Sequence, residues 1–234
     1  MKKLFLPVLL LALGTATWGQ VPLAPAVGPA EVLAFLQSMP IPTELKLDLT
    51  GEMTAAMAEG RLTPGVALPF LQECASLPPE QTEEVLLIVL HALTEEFIVD
   101  PLLNEALKGI RLSRPWPEVM GILRLRLALL EATRDVLTGQ RLVPESPPPG
   151  YRSAVPTPSP SEKVILETAW AIGDFLIAGG NPADGAGMES LVRMRLTRLS
   201  GSVLPSQVVN PLLAVLSPAL MQEITRLALN PERR

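Results

Sequence analysis

The sequence predicts an all-α protein, either a helical bundle or an irregular helix-turn-helix array, with two helical units joined by a proline-rich linker. Three observations carry this expectation. A capping residue followed by proline recurs at Thr63-Pro64, Asp100-Pro101, Asn181-Pro182, Asn210-Pro211 and Ser217-Pro218. The side-chain oxygen can accept from an orphan backbone N–H, and the proline fits a first helical position where its missing N–H costs nothing. The apolar half of the chain is mostly Leu, Ala, Val and Met, whereas aromatics make up 4% of the residues. That balance favours helices, because strands draw on aromatic and β-branched side chains. Finally, no segment alternates in a way that demands a strand.

Taken from the N-terminus, residues 1–19 read as a signal peptide. Lys2 and Lys3 precede an apolar run from Leu4 to Leu13, and small residues follow at Gly14-Thr15-Ala16 and Thr17-Trp18-Gly19. That order is the one a signal peptidase needs, and ten apolar residues fall short of the roughly 20 that span a bilayer. Export to the periplasm, the cell envelope or the medium is therefore expected. A proline-rich leader follows over 20–29, and a first helical domain over 30–142. Its helices are expected at 30–37, 43–59, 64–75, 79–98, 101–108 and 117–138, with Gly60, Gly109 and Gly139 closing three of them. Val85 to Leu90 is unbroken apolar sequence. A helix apolar all round belongs in the interior, so 79–98 is expected to be the central helix of this domain.

Residues 143–160 form the expected linker. Seven prolines fall within the 17 residues from Pro144 to Pro160, a composition that suits an extended spacer. The second helical unit covers 161–234, with helices expected at 161–178, 187–199, 205–216 and 218–229. Val203 to Met221 is uncharged for 19 residues. Pro205, Pro211 and Pro218, with Ser206, Gln207 and Asn210, argue against a membrane span there. The two units share a short likeness. Leu123-Arg124-Leu125-Arg126-Leu127 matches Val192-Arg193-Met194-Arg195-Leu196 at an offset of 69, and Glu105 falls opposite Asp174.

Charge and residue types narrow the function. The net charge is −5, falling to −7 once Lys2 and Lys3 leave with the signal. An acidic chain is poorly suited to nucleic acid, which needs clustered Lys and Arg. One His and one Cys leave no set for a zinc site. Asn181-Pro182-Ala183-Asp184 is the best oxygen cluster, but it lacks calcium-loop spacing and reads as a cap and turn. Cys74 and His91 both sit in apolar helical sequence; Cys74 reads as a small core residue and His91 as a satisfied or edge-exposed core histidine, rather than a nucleophile and its base. The glycine-rich stretch from Gly179 to Gly187 follows a helix and precedes no Lys, so it reads as an inter-helix loop and not as a phosphate cradle.

No catalytic, cofactor or metal residues are expected. The one notable basic feature is Arg124, Arg126, Arg193, Arg195 and Arg198, which could contact an anion or a partner. Residues two apart on a helix diverge, so neither Arg-x-Arg pair is expected to make one flat patch. The leading expectation is a non-enzymatic interaction or structural module of the cell envelope, binding a protein or another copy of itself. An alternative is a periplasmic binder of an apolar, lipid-like molecule. The mean hydropathy of +0.33 favours it, with Met53, Met57, Met120, Met188, Met194 and Met221 available to line a cavity. A second alternative is an enzyme that uses carboxylates alone.

Overall fold

The computed structural model describes residues 27–140 and 159–230, and the described residues form ten helices and no strand. The segment read as a signal peptide, most of the expected leader and most of the expected linker lie outside them. In order the helices are α1 (Pro29–Ser38), α2 (Thr43–Glu59), α3 (Pro64–Cys74), α4 (Pro79–Thr94), α5 (Asp100–Arg111), α6 (Trp116–Gly139), α7 (Pro160–Ile177), α8 (Gly185–Leu199), α9 (Ser206–Val215) and α10 (Pro218–Leu229). The all-α expectation holds, and most predicted starts fall within two residues of those observed.

The first six helices make a two-layer ladder. Helices α1, α3 and α5 stack in one layer, and α2, α4 and α6 stack in the other. Helix α6, at 24 residues about 36 Å long, then receives α7 and α10 on its far side. Helix α8 packs on α7 and α10, and short α9 leans on α8 and α7. One continuous apolar core runs through all ten helices, from Val32 to Ala228.

Turns are fastened by backbone polar groups. Gly60 ends α2 in the left-handed conformation at φ 74°, where any other residue would be strained. Asp100 does not cap its own helix. Its carboxylate crosses to accept from the Thr63 backbone N–H at 2.8 Å, just before α3, while Val99 N–H donates to the Arg61 carbonyl. Burial raises the Asp100 carboxyl above its ordinary value, and the bonds from Thr63 offset this only in part. A raised carboxyl favours folding fully below the unfolded value, and that advantage is lost as pH rises through the folded one. Asp100→Asn keeps an acceptor for Thr63 without the charge. It is expected to be more stable than the parent at neutral pH and equal to it in acid, as urea titrations at both pH values would show.

Some expectations are corrected. Helix α4 is not enclosed: Leu87 is 49% exposed, and Ile88 and Leu90 are half-buried. The enclosed helix is α7, whose residues from Val164 to Gly173 are buried except Glu167. Small side chains at Ala169, Ala171 and Gly173 let its neighbours close in. Gly109 lies inside α5 and does not close it, giving α6 room at Val119. Asn210-Pro211 does not open a helix. Pro211 sits inside α9 on an exposed face, where water can take the Gln207 carbonyl that its missing N–H leaves free. Asn181-Pro182 forms a turn, in which Asn181 Oδ1 accepts from Ala183 N–H, and Asp184 caps α8 three residues later.

Cys74 is fully buried in α3, as expected of a core residue. Desolvation, with the nearby Glu73 carboxylate, pushes its thiol up to about 12. The thiolate is the reactive form. Native protein is therefore expected to resist an aromatic disulfide reagent at pH 8, and to react with one equivalent in denaturant.

No single helix among the described residues is long and apolar enough to cross a membrane. Helices α9 and α10 pass that test only as a pair, bent by 95° at their junction.

Candidate functional site

A cleft between α7 and α8

Helix α7 starts on a full capping box: Ser159 accepts from the Glu162 N–H, and the Glu162 carboxylate takes the Ser159 N–H. Helix α8 starts on Asp184, whose carboxylate accepts from Gly187 N–H. Between the two helices lies a cleft of about 480 Å³. Glu167, Ala171 and Asp174 line one wall at helical spacings of four and three. Leu191, Met194, Arg195, Arg198 and Leu199 line the other at spacings of three, one, three and one. Both sets therefore project from one face of their helix. The floor is apolar and the rim is charged, and Met194 is 51% exposed at the mouth.

The rim is tied together by Asp174. One carboxylate oxygen accepts from Arg126 of α6, and the other accepts from Arg195 of α8 at 3.0 Å. Arg195 also donates to Glu167. Arg126 is 3% exposed. It donates to the Trp170 carbonyl at 2.9 Å and lies over the Trp170 ring at 4.9 Å, which suits a weakly hydrated guanidinium. Gly173 makes its room: a Cβ there would stand 2.3 Å from an Arg126 nitrogen.

The five arginines singled out in the sequence thus part company. Arg126 and Arg195 meet on Asp174, approaching α7 from either side. Arg198 stands exposed at the cleft mouth, against the Met194 sulfur. Arg124 turns the other way, to Glu84 of α4. Arg193 binds Glu189 and the Leu213 and Leu216 carbonyls at the end of α9. In each Arg-x-Arg pair one side chain faces α7 and the other faces away, as their spacing requires. The carboxylates of this network were not singled out in the sequence. The signal was present in the register of Glu167, Ala171 and Asp174, but nothing in one chain distinguishes that register from an ordinary ion-paired surface.

Of the methionines proposed to line a cavity, Met53, Met120, Met188 and Met221 are buried in the core, Met57 is partly buried, and Met194 opens onto the cleft.

A smaller hollow and the ends of α4

A hollow of about 300 Å³ lies between α4 and α6, lined by Glu84, Leu87, Ile88, His91, Arg124 and Leu127. Glu84 accepts from both Trp116 Nε1 and Arg124, and His91 Nε2 lies 2.7 Å from Glu131. His91 is at an exposed edge, 40 residues in sequence from its partner and not beside Cys74. At the other end of α4, Arg134 stacks on Phe97 at 4.6 Å and binds both the carbonyl and the carboxylate of Glu95. That hydrogen bond holds the Glu95 carboxyl below its ordinary value. No group of three or more potential metal ligands occurs among the described residues.

Compared with known proteins, the chain matches no family model, no curated sequence and no solved structure at significance.

Proposed function

We propose that the chain is an exported, non-enzymatic helical module of the cell envelope that binds its partner in the α7–α8 cleft. The observation that carries this reading is the half-exposed Met194 over an apolar floor, set within a rim of ion pairs. Ligand sites are commonly concave and apolar, with a few fixed polar groups, and range from about 300 to 1,000 Å³. The cleft has this form. Its walls are fastened to the core through Arg126 and Trp170, so the opening is held in place by the fold. Both rim carboxylates already accept from guanidinium donors, an arrangement suited to shaping a site rather than to proton transfer. Export rests on the N-terminal pattern.

Native mass spectrometry of the chain expressed with its N-terminal segment and recovered from the exported fraction tests this. The parent is expected to carry a bound species, small molecule or protein, that Met194→Glu no longer carries. Retention of the chain in the cytoplasm would overturn export. An identical bound fraction in the parent and Met194→Glu, or turnover of a hydrolase substrate panel above background, would overturn the binding reading.

A further inference from the structure

We infer that the occupant of the cleft is a monomeric amphiphile with one anionic head group, its tail on the apolar floor and its head on Arg198. The inference rests on the binding reading above and names its ligand class.

The free guanidinium decides the sign of the head group. Two guanidiniums, those of Arg195 and Arg198, and two carboxylates, those of Glu167 and Asp174, line the cleft, and Arg126, buried behind the α7 wall, adds a third guanidinium bound to Asp174. Arg126 and Arg195 are held by these carboxylates. Arg198 makes no ion pair among the described residues, and its side chain lies against the Met194 sulfur at 4.0 Å. With Arg126 counted, the cluster holds one guanidinium more than it holds carboxylates, and Arg198, at the mouth, is the one outside the ion pairs. A guanidinium there offers paired N–H donors to a carboxylate or a phosphate ester. Below it, Leu191, Ala171 and Leu199 offer no polar side-chain partner, which suits a hydrocarbon tail.

The rest of the chain decides against a membrane surface as the source of that charge. With a net charge of −5, the protein as a whole is repelled by an anionic bilayer. A single amphiphile that enters the cleft meets the local surplus at contact distance, while the distant acids are screened over about 8 Å at physiological salt.

The test is calorimetric titration of the full chain with dodecanoate below its micelle concentration, beside dodecanol and dodecyltrimethylammonium. Dodecanoate is expected to bind most tightly and the ammonium least. Arg198→Gln should weaken dodecanoate about fivefold, the scale of an exposed charge pair, and leave dodecanol unchanged. Met194→Glu places a carboxylate four residues from Arg198, neutralises the surplus and should weaken dodecanoate further. Both positions are exposed, so the variants are expected to melt with the parent. Dodecanoate that fails to bind, binds no better than dodecanol, or ignores Arg198→Gln overturns the inference. In the first case, a different bound species lost in Met194→Glu by native mass spectrometry leaves the binding module standing without this ligand class.

Discussion

Gly185→Ala is expected to destabilise the protein by about 3 kcal/mol or more, the upper range of overpacking. Gly185 is the first residue of α8 and is fully enclosed. A Cβ there would lie 2.2 Å from the Pro218 backbone oxygen and 2.8 Å from its carbon. The obstruction is main chain, at the first turn of α10, so no rotamer change can relieve it. Helices α8 and α10 would have to part, and Met188, Val192, Met221 and Ile224 lie buried in these same helices. Gly51→Ala and Gly121→Ala are the controls. Both are exposed helix positions with nothing within 4 Å of the added carbon. Each should stabilise by up to about 1 kcal/mol, through helix propensity alone. Guanidinium-induced unfolding of the three variants reads out both signs. A Gly185→Ala midpoint equal to the parent's would mean that α8 and α10 do not meet as described.

Arg126→Ala is expected to cost about 3 kcal/mol, the scale for truncating a buried long side chain and leaving a cavity. The loss has three parts: the carboxylate contact, the bond to the Trp170 carbonyl, and the packing of the arginine stem on the Trp170 ring. Asp174 is 51% exposed and keeps Arg195, so the abandoned carboxylate is not stranded. Arg126→Met should therefore cost clearly less than Arg126→Ala, because it restores the volume and needs no hydrogen bonds. The Nε of Arg126 is buried without a partner, which further lowers the net worth of the native guanidinium. Equal losses in the two variants would show that charge, and not packing, dominates at this position. Trp170 fluorescence offers a second readout, since the ring loses its stacked cation in both.

Much of the fold was legible because helix starts are written locally. Ser217-Pro218 opens α10 with Ser217 accepting from Leu220 N–H, and Pro64, Pro79 and Pro160 each take a first-turn position. Where the reading failed, tertiary context had overridden a local mark. Pro211 is tolerated inside α9 because its face is wet, and Gly109 marks a close approach rather than an end. The apolar run in α4 suggested an enclosed helix, yet the enclosed helix is α7, whose small residues gave no such run. Three of the eight residues lining the cleft were legible. Met194, Arg195 and Arg198 stood out by type, but Glu167, Asp174, Leu191 and Leu199 matter through a neighbour that sequence spacing does not reveal. The convergence of Arg126 and Arg195 on one aspartate required knowing that α6 and α8 flank α7.

The position of α6 between the ladder and the later helices has a thermodynamic consequence. Leu123, Leu129, Leu130 and Leu137 on this one helix are buried in a core to which both sides contribute. Neither half can melt without baring an apolar face of the other, so heat should produce one calorimetric transition despite the proline-rich segment between them. By the same logic, chains ending at Gln140 and beginning at Ser159 are expected to aggregate when made singly and to dissolve as a complementing pair when made together.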